Sequence, residues 1–196
     1  MPGLHVALLD VATAAGIQLE LGRPVPWLSG RGHHNETVLR DAPTEVVEVL
    51  AGIHRTLGGH DDVLRTKRAA NPPTPDLVHV PTGCFVEVDE VQHFTTARET
   101  ALRLYPPALD LGFDVPEYLE LIERWRPKAD AAYAHRTSSD FPQVGGRQAQ
   151  RAYNDSLRDL LAPTFTGYPV VRIAVPGRSM DGALARVVQR LSQLRS

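Results

Sequence analysis

The sequence predicts a mixed α/β domain, and three observations carry that prediction. Residues 75–93, PDLVHVPTGCFVEVDEVQH, read as a β-hairpin: an apolar run over Leu77–Val80, a Pro-Thr-Gly turn, and a second run over Cys84–Val88. A later apolar run, VVRIAV at 170–175, follows Gly167-Tyr168-Pro169 and reads as a buried strand with Arg172 at its centre. Around these lie segments with helical periodicity. The order is helices, hairpin, two helices, strand, helix.

Residues 4–21 place Val6, Leu9, Ala12, Ile17 and Leu21 at helical spacing, and residues 22–43 read as a loop. Residues 1–42 therefore form a helical extension ahead of an α/β domain at 43–196. His33-His34 lies in the loop, and adjacent histidines diverge in regular structure, so a surface position is expected. Pro43-Thr44 opens a helix with Val46, Val49, Leu50, Ile53 and Leu57 as its stripe, ended by Gly58-Gly59. Glu45 and Glu48 lie on a neighbouring face. Residues 61–70 gather Arg65, Lys67 and Arg68, and read as a short strand lining a phosphate-binding edge.

After the hairpin a helix is expected over 95–104, capped by Thr95 or Thr96 and stopped by Pro106-Pro107. Residues 108–146 read as an insertion. It holds a helix from Val115 that breaks before Pro127, then a polar, substrate-facing loop at 135–146. Residues 147–161 form an amphipathic helix, with Tyr153, Leu157, Leu160 and Leu161 inward and Arg151, Asp155, Arg158 and Asp159 outward. The last helix runs from Asp181 to Leu194.

With 196 residues, 42% of them hydrophobic and 22% charged, the chain is an ordinary globular protein of one domain. Net charge is −2, so there is no global basic signature for nucleic acid, although residues 171–196 carry five arginines against one aspartate. The single cysteine, Cys84, excludes an intrachain disulfide and fits a reducing cytoplasm. No apolar run approaches the roughly 18 residues of a membrane span, and no signal peptide is expected.

The hairpin carries acids. Asp76 stands at the mouth of its first run, and Glu87 and Asp89 stand two apart at the end of its second, on one face. Carboxylates gathered at an apolar edge repel and cost desolvation, which a divalent cation would offset. The expected register pairs Val80 with Phe85 through a four-residue loop or a bulge. It sets Asp76 opposite Asp89, with all three acids on one face.

Pro75-Asp76, then Glu87-x-Asp89 with His93, then Asp155-x-x-Arg158-Asp159 and Gly167-Tyr168-x-Val170-x-Arg172 together resemble the PD-(D/E)XK nuclease superfamily. Within it, they resemble most the branch of the very-short-patch repair endonucleases. The likeness spans about 48–190. It departs at the superfamily lysine, where Asp89 stands, and at Glu90, which replaces the usual glycine. The resemblance implies a restriction-endonuclease-like sheet flanked by helices, and Mg2+- or Mn2+-dependent hydrolysis of DNA. Many nucleases of this fold act as a homodimer. It implies Asp76, Glu87 and the Val88 carbonyl as metal ligands, with Glu48 completing the shell from its helix. Asp89 would take a second metal or orient water, and His93 would act as general base or hold water. Gln92 would meet phosphate, Arg172 would either meet phosphate or pair with Asp155 or Asp159 on the preceding helix, and Lys67, beside Arg65, would be a migrated lysine. The alternative is a degenerate nuclease fold that binds nucleic acid or a protein without cutting.

Overall fold

The computed structural model describes residues 3–67, 73–179 and 181–193. In chain order the elements are α1 (Leu4–Ala14), β1 (Leu19–Leu21), a 3-10 turn at Gly32–His34, α2 (Glu36–Leu39), α3 (Thr44–Thr56), α4 (Asp61–Thr66), β2 (Leu77–His79), β3 (Cys84–Asp89), a 3-10 turn at Val91–His93, α5 (Thr96–Leu102), α6 (Val115–Tyr133), α7 (Gly146–Thr166), β4 (Val171–Ala174) and α8 (Ala183–Gln193). The strands form one open mixed sheet in the order β1-β2-β3-β4. The first two pairings are antiparallel and β3–β4 is parallel. Helices cover both faces.

Side-chain alternation along β3 divides the interior. Cys84, Val86 and Val88 join Leu8 and Ala12 of α1 and Val187 and Leu191 of α8 on one face. Phe85 points the other way, to the cluster built from α3, α5, α6 and α7. Glu87 and Asp89 share its parity, so they point toward α7 while apolar neighbours fill the opposite layer.

The hairpin register is Leu77↔Val86, Val78↔Phe85 and His79↔Cys84. It differs by two residues from the expected pairing of Val80 with Phe85. The four-residue loop begins at Val80, whose N–H donates to Gln18 O instead of joining the hairpin ladder. Gly83, at φ +73°, closes the turn by donating to His79 O. A slip of two preserves side-chain parity, so the three acids still share a face, with Asp76 opposite Glu87 and not Asp89.

Four other expectations change. The helix in residues 4–21 stops at Ala14, beyond which Gly16 takes φ +73°. Leu19–Leu21 then become the edge strand of the sheet. Leu8, Ala12, Leu19, Trp27 and Leu28 are core residues, so the first 42 residues are integral to the domain and not an appendage. Residues 61–66 are helical, not a strand: Asp61 and Asp62 occupy a helix first turn, where the dipole favours acids. The rest of that expected strand, apart from Lys67, lies outside the described residues. In α6 the helix passes through Pro127 to Tyr133. Beyond the proline, Ala129 is buried, the Ala129 and Asp130 carbonyls accept from Gln148, and the Asp130 carboxylate accepts from Thr96, so tertiary contacts outweigh the local break. The 135–146 stretch is pinned by buried Asp140 and Phe141. Among the described residues no helix is long and apolar enough to cross a membrane.

Candidate functional site

Asp76 and Glu87 lock together where β2 ends and β3 runs on. The Asp76 N–H donates to Glu87 Oε1 at 3.2 Å, and the Val88 N–H donates to Asp76 Oδ2 at 2.9 Å. A strand residue turns its N–H and C=O to the same edge, so the Val88 carbonyl also faces this side. Continuing the register places Pro75 opposite Val88, and proline has no N–H to offer that carbonyl. Two carboxylates and a carbonyl edge thus meet at one corner, a set of hard oxygen donors that fits Mg2+ or Mn2+. Asp76 and Val88 open into a cleft of about 440 Å³, also lined by His5, Gln92, His93, Arg147, Arg151, Asn154 and Arg158. Arg147, Arg151, Asn154 and Arg158 recur at steps of four, three and four, one face of α7. That face sets a basic wall across from the acids.

Behind the cleft runs a buried ionic chain. Arg158 Nε lies 3.2 Å from Glu87 Oε2, and Arg158 Nη2 donates to Asp155 Oδ1 at 2.6 Å. His93 Nδ1–H donates to Asp155 Oδ2 at 2.9 Å and lies 3.3 Å from Asp89 Oδ1. Arg172 reaches Asp89 at 2.9 Å and Asp159 at 2.8 Å. Tyr118 donates to Asp89 Oδ2 at 2.8 Å, and Arg98 and Tyr105 both donate to Asp159. Buried charges persist when paired and hydrogen-bonded, and each one here is.

The chain sets the protonation states. Burial pushes Glu87 up to about 8, with Asp76 adding to the shift and Arg158 opposing it. Burial acts against Asp155, yet His93 and Arg172 hold it well below the usual carboxylate range. Burial likewise acts against ionised Asp89, and Arg172 and His93 keep it low. For His93, burial disfavours the charged ring, but Asp155 and Asp89 raise it above 6.5.

Several expected site residues belong elsewhere. Asp89 is wholly buried and committed to Arg172, Tyr118 and His93, so it does not face the cleft as a second metal ligand. Arg172 has a fully buried side chain that braces Asp89 and Asp159, so it is not a phosphate contact. Glu48 is exposed on α3, about 200° round the helix from both Val46 and Leu50, and does not line the cleft. Lys67 pairs with Asp140 Oδ2 at 2.9 Å and lines an adjoining cleft of about 570 Å³, while Arg65 is exposed on α4. The supposed outer face of α7 is interior: Asp155, Arg158 and Asp159 are all buried. Asp76, Val88, Gln92 and His93 line one cleft, and Glu87 is buried behind Asp76, accepting its N–H. Sequence reasoning missed Arg147, Arg151, Asn154 and Arg158 as one wall, although their helical spacing was available as a signal.

Comparison with protein-family models, with curated proteins and with solved structures yields no match.

Proposed function

We propose that the protein is a Mg2+- or Mn2+-dependent endonuclease with a restriction-endonuclease-like fold, cutting phosphodiester bonds in DNA. One observation carries the reading: Asp76, interlocked with the buried Glu87 behind it, and a strand-edge carbonyl face a row of arginines across a single cleft. Metal and phosphate need opposite charges side by side, and a merely structural ion cluster has no reason to line an open cleft. The likeness to the very-short-patch repair branch supports the same reading.

Asp76, Glu87 and the Val88 carbonyl would hold the ion, which supplies charge neutralisation and a more acidic water. Arg158 fills the part of the absent lysine: it touches Glu87 and lines the cleft, so its guanidinium can polarise the scissile phosphate. His93 is an acid rather than a base. Its Nδ1–H is held by Asp155, and although burial opposes the charged ring, Asp155 and Asp89 favour it, which would leave Nε2–H to give a proton to the leaving oxygen. Gln92 contributes a neutral donor beside it.

The test is nicking of supercoiled plasmid with Mg2+ or Mn2+ by the wild type, Asp76→Asn and Glu87→Gln. Metal-dependent nicking that both substitutions abolish supports the reading. Nicking that survives both refutes it. DNA binding without nicking in the wild type would favour the non-cutting module instead.

A further inference from the structure

A second cluster of ligands lies apart from the acid hairpin. The 3-10 turn at Gly32–His34 brings His33 and His34 onto Asp61 of α4. His33 Nε2 lies 3.6 Å and His34 Nε2 3.5 Å from Asp61 Oδ1, and one ligand atom from each residue falls within 4.8 Å of the other two. Among the described residues this is the one group of three histidine, cysteine or acid side chains close enough to share an ion. Adjacent histidines diverge on a strand or an α-helix, but this tight turn holds their ring centroids 4.1 Å apart.

The surroundings are built as a metal shell is built. His33 Nδ1 meets the Tyr153 hydroxyl at 2.7 Å, and the His33 backbone N–H donates to the same oxygen at 3.0 Å. The tautomer with Nδ1–H on Tyr153 turns the Nε2 lone pair toward Asp61, the usual division of labour in a ligating imidazole. Gly32 admits the Tyr153 hydroxyl where any Cβ would collide with it. His54, wholly buried, donates Nδ1–H to Asp61 Oδ1 at 3.0 Å and fixes that carboxylate. His34 Nε2 is buried, and its nearest acceptor, Asp61 Oδ1 at 3.5 Å, does not complete a hydrogen bond with it.

We infer that His33, His34 and Asp61 bind a divalent transition ion of the zinc class. Ligand bonds of about 2.0–2.1 Å at tetrahedral angles set ligand atoms about 3.3–3.4 Å apart, close to the two separations above. Two imidazoles and one carboxylate suit zinc and disfavour magnesium, which takes oxygen. The fourth position falls to water, because the Asp61 side chain is 35% exposed. The ion ties the 32–34 turn to α4 and, through Tyr153, to α7. This assignment stands independently of the nuclease reading.

The experiment is calorimetric titration of Zn2+ into the chelator-treated full chain, with the visible spectrum of Co2+ as a second readout. One ion per chain is expected, with an intense four-coordinate Co2+ band and a raised melting temperature. His34→Ala and Asp61→Asn should each abolish all three while the circular dichroism stays folded. Tyr153→Phe should keep the site but weaken it by about 10- to 100-fold. Asp76→Asn should change none of these. A folded wild type that takes up no stoichiometric Zn2+, or zinc binding unchanged in both His34→Ala and Asp61→Asn, overturns the assignment.

Discussion

Asp76 and Glu87 are joined across the hairpin by the Asp76 N–H, which donates to Glu87 Oε1 at 3.2 Å. The two acids are therefore placed by backbone geometry before any ion arrives. A site pre-formed in this way loses function through its chemistry, not its assembly. Glu87→Gln keeps the acceptor oxygen and removes the charge. Plasmid nicking should fall by at least about 100-fold, since a bound ion supplies several kcal/mol of charge stabilisation. Circular dichroism should remain that of the wild type.

The raised Glu87 predicts how metal affinity follows pH. Below about 8 the carboxyl holds a proton that the ion must displace. Mg2+ affinity should rise by about tenfold per unit from pH 6 to pH 8 and then level, with close to one proton released per ion in the acidic range. Calorimetry in buffers of different ionisation heat measures both.

The same group shapes stability without metal. Its folded value lies above the ordinary 4.5, so the folded state holds the proton more tightly than the unfolded chain does. That contribution is complete below about pH 4.5 and is lost as pH rises to about 8. Urea denaturation in chelator should show Glu87→Gln flattening this decline. A slope unchanged by the substitution would contradict the burial argument.

Arg172 is structural. Arg172→Ala leaves Asp89 and Asp159 buried with fewer partners and should cost about 3–5 kcal/mol by denaturant titration. Arg158 differs because it also lines the cleft. Arg158→Lys should retain part of the nicking rate and Arg158→Gln little, with metal affinity less affected than turnover.

Glu48 and Lys67 serve as controls. Glu48 is exposed away from the cleft, and Lys67 is engaged by Asp140. Alanine at either position should leave nicking and Mg2+ affinity within about twofold, as expected for substitutions away from a site.

What the sequence disclosed follows from what periodicity can register. The acid hairpin was legible because Pro75-Asp76 and Glu87 interrupt apolar runs, and parity survives a two-residue slip in register. The burial of the α7 ions was not. Hydrophobic patterning assigns Asp155, Arg158 and Asp159 to solvent, whereas ion pairing takes them inside. Arg172 in the centre of an apolar strand was the clue that such a partner set existed, and its pairing with a preceding-helix acid was legible. The identity of Asp89 as its other partner was not, because that contact spans 83 residues. The His33–His34–Asp61 grouping depends on a 3-10 turn meeting a short helix, a tertiary event without local pattern. The helix through Pro127 shows the same limit, since Gln148 and Thr96 on other helices sustain what the local sequence would break.

Pro75 gives the hairpin a trade-off between robustness and use. Alanine there would restore a missing rung, lengthening β2 and securing the sheet where it now stops short. The same rung would cap the Val88 carbonyl and close the corner that the acids share. A residue that looks like a flaw in a strand is thus what keeps the ladder from growing across its own doorway, and on the proposed function a stabilised hairpin at this position would be a silenced one.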